Sequence, residues 1–182
     1  MKLFLKDDLI TLRALEPEDI DLLFEWENNE DNWTVSQTIA PFSKHTLAIY
    51  IRDSEKDIYE AKQLRMMITT HAGKTVGAID LFDFDPLNMR VGVGILIHGL
   101  EDRSKGYATS ALNLMVRYCF GKLGLHQIYA NILTDNEVSL KLFSKAGFVL
   151  SGTKKNWVRD GSNWKDEHLL QLLRRVCLVT GP

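Results

Sequence analysis

Arg103-Ser104-Lys105-Gly106-Tyr107-Ala108 stands where an apolar run, Ile95-Leu96-Ile97, gives way to helical periodicity, with Ala108, Ala111, Leu112, Met115, Cys119 and Leu123 on one face. The junction of a strand with an amphipathic helix is a place to hold an anion. The first N–H groups of a helix have no internal acceptor and carry the positive end of its dipole, so a phosphate there meets several donors at once. Gly106 lets backbone approach a ligand closely, Ala108 is small, and Arg103 and Lys105 add positive charge. An ordinary serine-capped helix with incidental basic residues accounts for the same six positions.

Two other glycine motifs fail on inspection. Gly73-Lys74-Thr75 looks like the end of a phosphate-binding P-loop, but the earlier glycine falls on Ile68 and the context is a hairpin. Gly92-Val93-Gly94 opens a dinucleotide fingerprint that breaks at Ile97. The five histidines have no metal-ligand spacing, so no metal is expected.

The elements around the junction can be read from period and punctuation. Leu9 to Arg13 reads as a short strand, and Pro17, Glu18 and Asp19 then start a helix with Ile20, Leu23 and Phe24 on one stripe. Residues 28–42 read as irregular, before a second helix around Thr46 to Ile58. Gln63 to Thr70 and Thr75 to Phe84 form a predicted hairpin across His71-Ala72-Gly73-Lys74, with Met89 to His98 as the next strand. The helix from near Ser104 stops at Gly124. His126 to Leu133 is then a strand, Asn136 to Ala146 a helix, and Phe148 to Val158 with Trp164 to Arg174 a closing hairpin. This order predicts an α/β (α+β) fold, a mixed and mostly antiparallel twisted sheet with helices on both faces.

Composition narrows the function classes. With 182 residues, 45% of them hydrophobic, the chain can bury one core, and one domain over residues 1–182 is expected. A net charge of -2 gives no basic face for nucleic acid or an anionic membrane, and Lys154-Lys155 and Arg174-Arg175 are only pairs. The apolar start Met1-Lys2-Leu3-Phe4-Leu5 ends at Lys6-Asp7-Asp8, too early for a signal peptide. Cys119 and Cys177 stand alone, which argues against a disulfide framework or zinc site and for a cytoplasmic protein.

Downstream, Asn136-Glu137-Val138-Ser139-Leu140-Lys141-Leu142-Phe143-Ser144-Lys145-Ala146-Gly147-Phe148 decides between the readings of the junction. Together with Arg103 to Ala108 it resembles the GNAT superfamily, whose members show Arg/Gln-x-x-Gly-x-Gly/Ala and then Asn-x-x-Ala/Ser-x-x-Leu-Tyr-x-Lys-x-Gly-Phe. The likeness runs from Leu9 to Gly161 and is strongest to spermidine N-acetyltransferases and ribosomal-protein N-terminal acetyltransferases. It implies a V-shaped opening between the fourth and fifth strands that takes acetyl-CoA as co-substrate. Ile95, Leu96 and Ile97 would offer backbone groups to the pantetheine arm. Arg103, Ser104, Lys105, Gly106, Tyr107, Ala108 and Thr109 would hold the pyrophosphate, with Asn136 on the far side. Two positions depart from the family pattern: its tyrosine, the acid for the leaving thiolate, is Phe143 here, and its frequent fourth-strand glutamate is Gly92.

The implied chemistry is direct attack of a neutral amine on the thioester, with backbone N–H near Leu96 or Ile97 facing the developing oxyanion. An alkylamine with a pKa of about 10.4 is almost wholly protonated at pH 7, so a base is useful. Asp80 and Asp83, on the strand before the pantetheine strand, are candidates for it; solvent-facing carboxylates are the alternative reading. Ser139 is a candidate proton donor, or a helix cap. Phe143 would wall the thioester. The acceptor is a small amine such as a polyamine, for which Glu25, Glu27, Glu30 and Asp31 offer an acidic lining, or a peptide N-terminus. A homo-oligomer is a family-level expectation, and a non-catalytic acyl-CoA sensor is the rival reading.

Overall fold

The computed structural model describes residues 4–174, and the start at Met1, Arg175 and Cys177 lie outside it. Seven strands form one sheet in the order β1-β2-β3-β4-β5-β7-β6. β1 (Ile10–Ala14), β2 (Leu64–Thr70), β3 (Thr75–Asp85) and β4 (Arg90–Ile97) are successive antiparallel neighbours. β5 (Gln127–Leu133) joins β4 in parallel, and β7 (Asn163–Leu173) separates it from β6 (Val149–Asp160).

The parallel pair exists because α5 (Tyr107–Gly121) carries the chain back between β4 and β5, as a crossover must. Its inner face, Ala111, Leu112, Leu114, Met115 and Cys119, is buried on Ile79, Leu81, Val91, Val93 and Ile128 in the larger core. Burial pushes the Cys119 thiol up to about 12, so it acts as a small hydrophobe. On the other face α1 (Ile20–Glu27) and α3 (Lys44–Asp53) make a smaller core in which Leu23, Trp26, Leu47 and Ile51 meet Met67 and Ala78.

The expected elements are present, with two differences in detail. Residues 28–42 contain a 3₁₀ turn, Glu30–Asn32, and a one-turn helix α2 (Trp33–Ser36), tied by Trp33 Nε1 donating to the Glu27 carbonyl at 3.0 Å. The helix expected to run to Ile58 stops at Asp53, and a separate turn α4 (Ile58–Ala61) is capped by Asp57. At the N-terminal side, Arg13 grips Asp19 through two hydrogen bonds of 2.7 Å. Burial alone would raise the Asp19 carboxyl; these bonds and the Glu16 N–H hold it below the ordinary carboxylate range. Among the described residues no helix is long and apolar enough to cross a membrane.

Candidate active site

β4 and β5 pair only at Arg90–Gln127, Val91–Ile128 and Gly92–Tyr129. Beyond Gly92, β4 stays with β3 out to Ile97 while β5 stays with β7 out to Leu133. The two strands therefore part into a V with its apex at Gly92 and Tyr129. Ile95, Leu96 and Ile97 lie on the free wall of β4, half-buried, with one strand neighbour instead of two.

At the mouth, a 3₁₀ turn (Leu100–Asp102) leads into the loop before α5. Ser104 at φ 60 and Gly106 at φ 86 are both left-handed, with Lys105 between them. Alternation of this kind turns successive N–H groups toward one side, the geometry of an anion-binding nest. Ser110 N–H reaches the Gly106 carbonyl at 2.9 Å, while the N–H groups from Ser104 to Thr109 find no acceptor among the described residues. A Cβ at Gly106 would meet only Leu9, at 3.5 Å, so the space in front of this glycine is open to a ligand. The donor set fits a pyrophosphate.

The charge beside this loop was not legible in the sequence. Asp102 is 4% exposed, a carboxylate next to this open array of N–H groups. Lys74, from the β2–β3 hairpin, and Lys105, at 3.3 Å, neutralise it. The Lys74 hydrogen bond foremost, over the opposing cost of burial and with help from Lys105, holds the Asp102 carboxyl below its ordinary value. Arg103 is exposed and reaches the Ile97 carbonyl at 3.4 Å, which places its guanidinium beside the end of β4.

On the far wall, Asn136 caps α6 (Glu137–Lys145) by accepting from Ser139 N–H at 3.1 Å. Its amide NH₂ has no acceptor among the described residues, so it can still reach a ligand. Ser139 is half-buried in the first turn of this helix. Phe143 is only 3% exposed, its ring edge-on to Phe148 at 5.0 Å, so it packs into the core between α6 and the sheet.

The two candidate bases sit in different surroundings. Asp80 is held by Arg65, Nε to Oδ1 at 2.6 Å and Nη2 to Oδ2 at 2.9 Å, while Arg65 Nη1 donates to Glu27. Both Asp80 oxygens are engaged, and Glu27, expected on an acidic lining, is part of this cluster. One guanidinium against two carboxylates leaves a net charge of -1. The cluster borders a cavity of about 380 Å³ walled by Phe42, Tyr50 and Phe82. Asp83 is exposed, at φ 50 in a bulge of β3, and accepts from the Tyr129 hydroxyl at 3.2 Å. Glu25 meets His98 Nε2 at 3.3 Å, and that ring stacks on Trp26 with centroids 5.3 Å apart. Glu30 and Asp31 remain exposed. Arg65, Tyr129 and His98 were not singled out in the sequence, because nothing local marks a residue whose partner lies on another strand.

A family model described as an acetyltransferase (GNAT) domain matches residues 10–149. A spermidine N(1)-acetyltransferase of Vibrio cholerae is 25% identical over 145 residues, covering 79% of this chain and 80% of that protein. An uncharacterized N-acetyltransferase, p20, of Bacillus licheniformis is 26% identical over 168 residues, 91% of this chain and 93% of that one. A crystal structure of spermidine N-acetyltransferase from Vibrio cholerae in complex with CoA and spermine superposes with a TM-score of 0.83 at 22% identity, covering 92% of this chain and 96% of that one. A dodecameric structure of the Vibrio cholerae enzyme gives 0.76 at 23% identity, with 92% and 95% covered.

Proposed function

The chain belongs to the GNAT family of N-acetyltransferases, and on that premise we propose that it moves the acetyl group of acetyl-CoA to a primary amine of a polyamine or another small amine. The observation that carries this reading is the V between β4 and β5 with an open array of N–H donors at its mouth. Bound acetyl-CoA supplies the thioester. The chain supplies the rest: the free wall of β4 binds the pantetheine arm as an added strand would, and the loop from Arg103 to Thr109 takes the pyrophosphate. Asn136 bonds from the opposite wall.

The acceptor enters from the face that carries α1 and α3, where the Arg65 cluster is net negative and borders the cavity walled by Phe42, Tyr50 and Phe82. A cationic amine is attracted there. Asp83 takes the proton that must leave the ammonium, since Asp80 already spends both oxygens on Arg65. The freed lone pair attacks the carbonyl carbon, and a backbone N–H near Leu96 or Ile97 faces the oxyanion. The C–S bond then breaks as the attacking nitrogen, cationic after attack, gives up its second proton through water to the departing sulfur. Because a thiol near pKa 8.5 is a tolerable leaving group, the sulfur can also leave as the thiolate, with that proton passing to solvent.

Self-association belongs to the same proposal, supported by the dodecamer of the Vibrio cholerae protein. A thiol-release assay with polyamines, alkylamines and peptides bearing free N-termini tests the whole reading. Release with spermidine or another small amine is expected. Turnover of peptides alone would move the acceptor to protein N-termini, and acetyl-CoA binding without release for any amine would make the chain a sensor.

A further inference from the structure

We propose that Tyr129 is a positioning residue for the transfer: its hydroxyl holds the Asp83 carboxylate at the apex of the V, on the face from which the amine arrives. The inference rests on the reading of Asp83 as proton acceptor and deepens it. Three independent features converge on this contact.

The first is the backbone of β3. Strict alternation would turn Asp83 away from Phe82 and into the core under α5, where a carboxylate is costly. The register shifts between Phe82 and Asp85, and Asp83 sits at φ 50, a region a short polar side chain such as Asp tolerates better than most. The bulge re-aims Asp83 to the outer face and lets Phe84 take the core position, 4% exposed.

The second is the strand on the other side. Ile128 and Ala130 are buried in the core beneath α5, so Tyr129 between them projects to the outer face, level with Gly92 at the last rung before β4 and β5 part. From there it must cross β4 to reach β3, and it does, with its hydroxyl 3.2 Å from Asp83 Oδ2.

The third is what β4 lacks. A Cβ at Gly92 would lie 2.2 Å from Phe82 Cε2, so any side chain there would collide with the ring. Phe82 instead lies over Gly92 and meets Tyr129 edge-on, centroids 5.9 Å apart at 89°. The phenol is thereby fixed in place by packing. The space above Gly92 is filled by the aromatic pair, and the carboxylate comes from the next strand.

Burial first, then the charge and hydrogen bond of Asp83, pushes the Tyr129 phenol up to about 12. It stays a neutral donor throughout the range in which amines are acetylated and does not compete for the amine's proton. Arg90, the cation beside this pair, is turned to Asp85 at 3.0 Å, and Asp80, on the Phe82 face, is held by Arg65. In the step itself the ammonium N–H bond breaks and the proton forms an O–H bond on Asp83, whose other oxygen keeps the Tyr129 bond. The proton passes to water after transfer.

A double-mutant cycle tests this with Tyr129→Phe, Asp83→Asn and both together, by thiol release with spermidine or the fastest amine of the panel. Tyr129→Phe keeps the ring and removes one hydrogen bond to a charged group, so kcat should fall about tenfold. KM for acetyl-CoA and the melting temperature should stay at the parent's. Asp83→Asn should fall further, and the double variant should match Asp83→Asn alone, because the hydroxyl acts only through that carboxylate. Multiplying effects in the double variant, or parent kcat in Tyr129→Phe beside a slow Asp83→Asn, overturns the positioning role and leaves the acetyltransferase reading intact. Parent kcat in Asp83→Asn removes the base assignment and this inference with it.

Discussion

The mouth of the V and its apex are built on different physical plans. The mouth, from Ile97 to Thr109, is contiguous in sequence and works through backbone: left-handed Ser104 and Gly106 expose N–H groups without partners. The apex is assembled from side chains on four elements, Glu27 of α1, Arg65 of β2, Asp80, Phe82 and Asp83 of β3, and Tyr129 of β5. A backbone site tolerates changes of side chain but not of backbone freedom, whereas a side-chain site fails one contact at a time. Ligand specificity should follow that division. Coenzyme A affinity should then respond to changes at the mouth and acceptor choice to changes at the apex.

The largest effect is expected from Gly106→Val. At φ 86 a β-branched residue is strained, and its methyl groups would occupy the space the phosphates need, removing several donors together. Coenzyme A affinity by calorimetry should fall at least about a hundredfold, roughly 3 kcal/mol. Parent affinity would remove the basis for placing the pyrophosphate here. Arg103→Ala should cost less, about 1.5–3 kcal/mol for one charge-assisted contact, and Arg103→Gln should recover part of it. If Arg103→Ala proves worse than Gly106→Val, the mouth is a side-chain site and the contrast fails.

On the acceptor side, neutralising the exposed pair with Glu30→Gln and Asp31→Asn should raise the spermidine KM by about threefold and leave coenzyme A affinity alone, since exposed charges act weakly. The change should shrink toward nothing in high salt. Glu27 is a poor choice for this test, because its removal also disturbs Arg65 and Asp80. An unchanged KM at low salt would mean that the Arg65 cluster, not the exposed pair, draws the cation.

The same contrast explains what could be read in advance. The loop from Arg103 to Thr109 stands out in the sequence because its parts are local: strand end, glycine and helix start follow one another in the chain, and the helical period from Ala108 to Leu123 announces the crossover. The β2–β3 hairpin was legible from Gly73, φ 83 at its turn. The separation of Asp80 from Asp83 was not. Both are acids on one strand, three residues apart, and only the bulge decides which meets Arg65 and which meets Tyr129. The helix expected through Ile58 broke because Asp57 caps a new turn, a competition between one long helix and two capped ones that periodicity alone does not resolve. Asp102 carries no sequence signal, because an acid beside an array of N–H donors makes sense only once Lys74 is brought to it from the β2–β3 hairpin.

The smallest effect on catalysis is expected at Phe143, where the family pattern places a tyrosine. The ring is 3% exposed and packs edge-on against Phe148. A hydroxyl added by Phe143→Tyr enters a packed apolar region, where a polar group without a partner costs about 1–3 kcal/mol. For a chain of this length that corresponds to a fall in melting temperature of about 2–4 °C per kcal/mol. Turnover should change by no more than about threefold, because the thiolate leaves near neutral pH with little help and general acid assistance counts only where the proton is needed in the transition state. Phe143→Ala is the sharper structural probe, since removing a buried phenylalanine costs about 3–5 kcal/mol and should lower the melting temperature well beyond the tyrosine variant. Scanning calorimetry and a pH–rate profile on both variants separate packing from chemistry. A gain of a hundredfold or more in kcat for Phe143→Tyr, with a new basic limb, would show that the parent works without an acid it needs, and that α6 belongs to the catalytic apex and not only to the wall behind it.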